Sequence, residues 1–151
     1  MWGKGATQYN SSDSMYEGNY SLDVDTARQV WGGSWRMPSQ VEFNELITET
    51  THQWVTNYKG SGINGTTFTA NGQTLFIPAA GISYNDRLSD VGSLGYIWSS
   101  TPNSGGYAYA LGINSGGENV GGNDRSRGFS VRPIIHEEDK LTLNEKINSI
   151  E

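Results

Sequence analysis

The chain has 151 residues, a one-domain length that buries roughly 70% of the unfolded surface. Hydrophobic residues make up 34% and charged residues 17%, with 20 glycines, five tryptophans and eight tyrosines. That mixture favours a turn-rich domain of short strands and disfavours both a helical bundle and a disordered chain. The formal charge is −6 with no Lys/Arg-rich run, which argues against nucleic acid as a partner, and the lack of cysteine removes disulfides, thiolate metal sites and cysteine nucleophiles.

No apolar run approaches the roughly 18 residues of a membrane span, and Met1-Trp2-Gly3-Lys4 is not followed by the apolar stretch of a signal peptide. Residues 1–22 carry Trp2, Tyr9, Tyr16 and Tyr20 without a period and are expected to be irregular. Asp23 opens a helix signal. Val24, Ala27 and Trp31 share a face, Asp23 and Asp25 cap the start, and Gly32-Gly33 ends it. Trp35-Arg36-Met37-Pro38 reads as an extended link into a second helix, where Ser39 and Glu42 make a capping box and Phe43, Leu46 and Ile47 form the apolar stripe.

From Trp54 the period changes to two. Thr66 to Ala70 and Gln73 to Pro78 flank Asn71-Gly72, a two-residue hairpin signal. Residues 82–94 read as a polar loop, and strands are expected near 95–100, 107–114 and 128–134. Within the middle one, Tyr109, Leu111 and Ile113 would pack inward while Ala110, Gly112 and Asn114 stand free for contact. The segment 136–151 differs: Leu143, Ile147 and Ile150 lie at helical spacing amid Glu and Lys, predicting a short amphipathic helix that docks back, pairs with a second copy or frays.

Four segments carry a resemblance: Trp31-Gly32-Gly33-Ser34-Trp35-Arg36-Met37-Pro38-Ser39, Phe76-Ile77-Pro78-Ala79-Ala80-Gly81, Trp98-Ser99-Ser100-Thr101 and Gly128-Phe129-Ser130-Val131-Arg132-Pro133. In this order they resemble C-type-lectin-like domains of the bacterial major-paralogous (FISUMP) type and the variable proteins of diversity-generating retroelements. The resemblance implies an α+β, C-type-lectin-like fold over 1–135, with two helices packed on twisted antiparallel β-sheets. Such members usually carry a strand ahead of the first Trp-Gly pair; this chain opens at Met1-Trp2-Gly3, so that strand is expected to be missing or replaced. The tail after Ile134 also departs from the diversified members, which tend to end near Val-Arg-Pro.

In those members a fixed frame displays altered residues in the last third. Carried over by position, the frame is Trp98, Ser99, Ser100, Tyr109, Leu111, Ile113, Phe129, Val131, Arg132 and Pro133. The ligand-binding candidates are Tyr96, Gly105, Gly106, Tyr107, Ala110, Gly112, Asn114, Gly116, Gly121, Gly122, Asn123, Asp124, Ser126 and Arg127. Adenine-directed changes at asparagine-type codons cannot produce Lys, Gln, Glu, Met or Trp. Only Glu118 belongs to that set between Asn103 and Gly128. Tyr96 and Tyr107 lead the candidates, because tyrosine offers rigid contact area at little rotamer cost.

Catalysis has no constellation to rest on. His52 and His136 are the only histidines, and no Ser/His/Asp arrangement suggests a triad. Formylglycine-generating relatives need active-site cysteines. Thr101-Pro102-Asn103 lacks the acid of a sugar-calcium lectin motif. No cofactor is expected beyond a structural calcium in the Asn85-Asp86…Asp90 loop. Arg132 is expected to be a buried partner of a carboxylate or of carbonyls. The function expected is a non-enzymatic receptor-binding or adhesion module at a bacterial surface or on a phage virion, taking a protein or glycan on another cell or particle. A pilus or tail-fibre subunit is the alternative, with 95–128 packing on a neighbour and 137–151 mediating self-association.

Overall fold

The computed structural model describes residues 25–85 and 87–135. The architecture is α+β. Two helices, α1 (Thr26–Trp31) and α2 (Gln40–Glu49), precede the strands β1 (Thr51–Val55), β2 (Gly65–Ala70), β3 (Gln73–Pro78), β4 (Ile82–Tyr84), β5 (Arg87–Ser89), β6 (Leu94–Pro102), β7 (Tyr107–Asn114) and β8 (Gly117–Asp124). The strands pair antiparallel in the orders β1-β2-β3, β4-β5 and β6-β7-β8. Among the described residues no helix is long and apolar enough to cross a membrane. The expectations for residues 1–22, for Asp23 and Val24, and for the helix in 136–151 lie outside the described residues.

Asp25 does two jobs at the start of the described chain. One carboxylate oxygen accepts from the Arg28 amide at 3.1 Å, capping α1, and the other accepts from the Met37 amide at 2.9 Å. That second bond lays the 35–38 link alongside α1, with Ala27 and Met37 both buried. Trp31 departs from its expected place in the core and is 53% exposed. It is the last residue of a six-residue helix, and the chain turns away at Gly32, so a single inward position, Ala27, suffices.

The capping box of α2 is present as read: the Glu42 amide donates to Ser39 Oγ at 3.2 Å and the Ser39 amide to Glu42 Oε2 at 2.8 Å. Arg36 adds a bidentate fork on the same carboxylate, at 2.6 and 2.8 Å. This fork, with the Ser39 bonds, outweighs partial burial and holds the Glu42 carboxyl down at about 2, against an ordinary 4.5. Phe43 is buried, while Leu46 and Ile47 are half-buried against the same cluster.

The β2–β3 hairpin turns on Asn71 and Gly72, both left-handed at φ 52° and 74°, and pairs Ala70 with Gln73 directly across the turn. The stretch expected to be a polar loop instead holds β4 and β5, a hairpin of three-residue strands. Their residues are mostly exposed, so hydrophobic alternation cannot announce them.

The sheet β6-β7-β8 corrects two further expectations. Residues 128–134 form single bridges, not a strand: Gly128 pairs with Ser83, Ser130 with Ile97 and Ile134 with Arg36. The third strand is the glycine- and asparagine-rich segment 117–124, which pairs residue for residue with β7 from Asn114↔Gly117 to Tyr107↔Asp124. Both faces of this sheet are covered. Trp98, Ala108 and Ala110 pack with Ala27, Met37, Phe129 and Val131 on one side. Ile97, Leu111 and Ile113 pack with Phe43, Phe68 and Ile77 on the other.

Candidate functional site

Double coverage divides the expected contact residues into three groups. The middle of β7 is closed: Ala110 is 1% exposed and Gly112 is buried, alongside Leu111 and Ile113. Ala110 and Gly112 are therefore frame and not contact surface. They are small because the space is taken; a Cβ at Gly112 would stand 2.9 Å from both the Asn119 side chain and the Tyr96 ring. Tyr96 shares this fate. It is half-buried, packs on the Trp98 cluster and stacks on Phe129 with ring centres 4.6 Å apart. Gly106 is buried and Gly121 half-buried in the same way.

The far tip of the β7–β8 hairpin holds Asn114 and Gly116, both exposed, with the Gly116 amide donating to Asn114 Oδ1 at 2.7 Å. It lies about 23 Å along the strand from Tyr107, seven residues at roughly 3.3 Å each. One ligand epitope is unlike a surface split by that length of buried strand. The two ends are separate.

The near end gathers the remaining candidates. Tyr107 is 46% exposed and lies directly across from Asp124, with exposed Gly105 and Gly122 beside it. Asp124 organises the following turn, accepting from the Ser126 amide through Oδ1 at 2.9 Å and from the Arg127 amide through its carbonyl at 3.1 Å. The Arg127 guanidinium lies 5.7 Å from the centre of the Tyr84 ring, within cation–π range, and Tyr84 is itself 50% exposed. Asn123 is half-buried, its amide turned back onto the Gly121 carbonyl at 3.1 Å.

Two residues of this end escape a reading of the sequence. Tyr84 stands in the segment taken for a loop, and β4 brings it over because Ser83 and Gly128 exchange backbone hydrogen bonds at 2.7 and 2.9 Å. Arg125 is charged yet only 4% exposed. Its Nε donates to the Tyr107 carbonyl at 2.9 Å, one terminal nitrogen donates to the Asn103 carbonyl at 3.2 Å, and its amide donates to the Gly106 carbonyl at 3.1 Å. The turn 103–107 is thereby fastened to the end of β8. Arg132 shows the reverse: expected in a buried pairing, it is exposed and makes no hydrogen bond or ion pair among the described residues. Its neighbour Pro133 has no N–H, and Ile134 takes the bridge to Arg36 instead.

Two further titratable groups, His52 and Asp90, are tied into structure. His52 sits exposed on β1 with Nδ1 2.6 Å from the Glu118 carboxylate, a link between the first and third sheets. Asp86, in the loop expected to hold calcium, lies outside the described residues, while Asp90 accepts from Ser89 Oγ at 2.8 Å. Among the described residues no three His, Asp or Glu side chains group closely enough to hold a metal ion.

Residues 51–134, more than half of the chain, match the model of DUF8237, a domain of unknown function. No curated protein and no solved structure matches the chain.

Proposed function

The chain belongs to the DUF8237 family, and from that premise we propose that this member is a non-catalytic binding module with a C-type-lectin-like scaffold. The observation that carries the binding reading is Tyr107, 46% exposed on a turn whose main chain is fastened by buried Arg125. With Gly105, Asp124, Ser126, Arg127 and Tyr84 it makes an aromatic and charged surface on a stiff base. Tyrosine loses little rotamer freedom on being immobilised in an interface, and tyrosine and arginine are both enriched among the residues that dominate binding energy.

The lectin-like scaffold is supported by how the resembling segments meet. Met37, Trp98 and Phe129, each from a different one, share a cluster, and the Ser100 amide donates to the Pro38 carbonyl at 2.8 Å. Ile77 and Ala79, from a further segment, are buried as well. The ligand is a protein or glycan on another cell or particle, met from a bacterial surface or a phage virion. If the chain is diversified by a retroelement, changes fall at Gly105, Tyr107, Gly122, Asp124, Ser126 and Arg127, and spare Ala110 and Gly112. Glu42, which lines an apolar pocket beside α2, is locked by Arg36 far below neutrality, which is unlike a group poised for acid–base work.

A test uses the labelled full chain against a panel of intact bacterial cells, read by flow cytometry. The pair Tyr107→Ala and Arg127→Ala should abolish staining of any cell the wild type labels, with Tm moved by no more than about 2 °C. Undiminished staining by that variant would remove the surface from consideration. The fibre-subunit reading has its own support in Leu88 and Val91, 66% and 62% exposed on and just after β5, apolar side chains suited to protomer packing. A stable polymer by light scattering that Leu88→Ser dissolves would favour it.

A further inference from the structure

A second site, sharing no residue with the surface above, lies between α2, β3 and the 132–134 segment. Pro38, Phe43, Leu46, Leu75, Ile77 and Ile134 line a pocket of about 160 Å³, completed by Glu42 and Arg132. Its walls are almost wholly apolar. The two charged residues differ in what they can offer. The Glu42 carboxylate is saturated by the Arg36 fork and the Ser39 amide. The Arg132 guanidinium is exposed and has no hydrogen-bond or ion-pair partner among the described residues. An apolar pocket beside one uncommitted guanidinium complements a ligand with the opposite arrangement: a compact apolar body and a single carboxylate.

Volume sets the size of that body. An apolar cavity of about 150 Å³ accepts one benzene ring, so this pocket has room for one six-membered ring or a branched acyl group of similar bulk. Charge sets the specificity. With a formal charge of −6 the chain repels small anions in general, so binding of an acid has to be earned locally at Arg132. We infer that the pocket bounded by Leu46, Leu75, Ile134 and Arg132 binds a small apolar carboxylate, its ring or branched chain against the aliphatic walls and its carboxylate on the Arg132 guanidinium.

The experiment titrates the full chain with phenylacetate and 4-methylpentanoate and follows the leucine and isoleucine methyl resonances by NMR. Saturable shifts at Leu46, Leu75 and Ile134 are expected. Phenylacetamide, the neutral isostere, should bind about tenfold more weakly, and Arg132→Gln should weaken phenylacetate by a similar factor while leaving phenylacetamide unchanged. Leu46→Trp, which fills the pocket, should abolish both. Absence of shifts at millimolar acid, equal binding of acid and amide, or indifference to Arg132→Gln would each overturn the assignment. So would contacts from the methyls of Leu143, Ile147 or Ile150 to Leu75 that persist on adding acid, since the chain itself would then occupy the pocket.

Discussion

The two three-stranded sheets share an antiparallel design and differ in how many faces they bury. In β1-β2-β3 one face carries Phe68 and Ile77 into the core, and the other presents Thr51, Gln53, Thr67, Thr69 and Thr74, with Phe76 half-buried against the Tyr58 ring at one end. Thr69 and Thr74, opposite one another there, meet through their hydroxyls at 2.9 Å. In β6-β7-β8 both faces are covered, so β7 needs side chains that fit between two layers: Leu111 and Ile113 toward α2, Ala108 and Ala110 toward Trp98. Alternation of large with small residues thus has two origins. In the first sheet it marks core against water; in the second it marks a roomy layer against a tight one.

That contrast can be broken at a single residue. Ala110→Leu adds volume where the Trp98 layer leaves none, and should cost about 1–3 kcal/mol in urea unfolding. An unaffected midpoint would show that side of β7 to be open after all. Next comes α2, which packs against strands of both sheets. Glu42→Gln removes the Arg36 ion pair and should cost about 1–2 kcal/mol at pH 7, the partial exposure of the pair limiting the effect. Because the folded carboxyl titrates near 2 and its ordinary value is 4.5, the contribution is complete above pH 4.5 and is lost as pH falls through 2. Stability curves of the two proteins should therefore converge in acid; a constant gap would dissociate the cost from the charge. The smallest effect belongs to the open face. Thr69→Val, with one hydroxyl contact to lose in water, should stay within about 0.5 kcal/mol.

Local chemistry made part of this legible. Ser39 and Glu42 cap each other within one turn, and Asn71-Gly72 dictates its own hairpin, so both are decided by neighbours in sequence. β8 is not: Gly117 to Asp124 has one β-branched residue, Val120, and becomes a strand because β7 offers it a ladder. The same holds for Arg125, whose place is defined by carbonyls 18 and 22 residues upstream. Among the contact candidates, Tyr107 and Gly105 are exposed and Arg127 half-buried, while Ala110 and Gly112 are buried, because in a doubly covered strand a small residue marks a tight layer and not an open one. Tyr84 depended on the pairing of Ser83 with Gly128.

The fastening by Arg125 has a consequence for how this protein can vary. It holds the turn by three carbonyl oxygens, which every amino acid supplies. Residues 103 and 107 can therefore exchange their identities without asking the lock to change its key, whereas Gly106, buried at φ 79°, is held to glycine. A lineage under pressure to meet new ligands could rewrite that turn while one arginine keeps its outline.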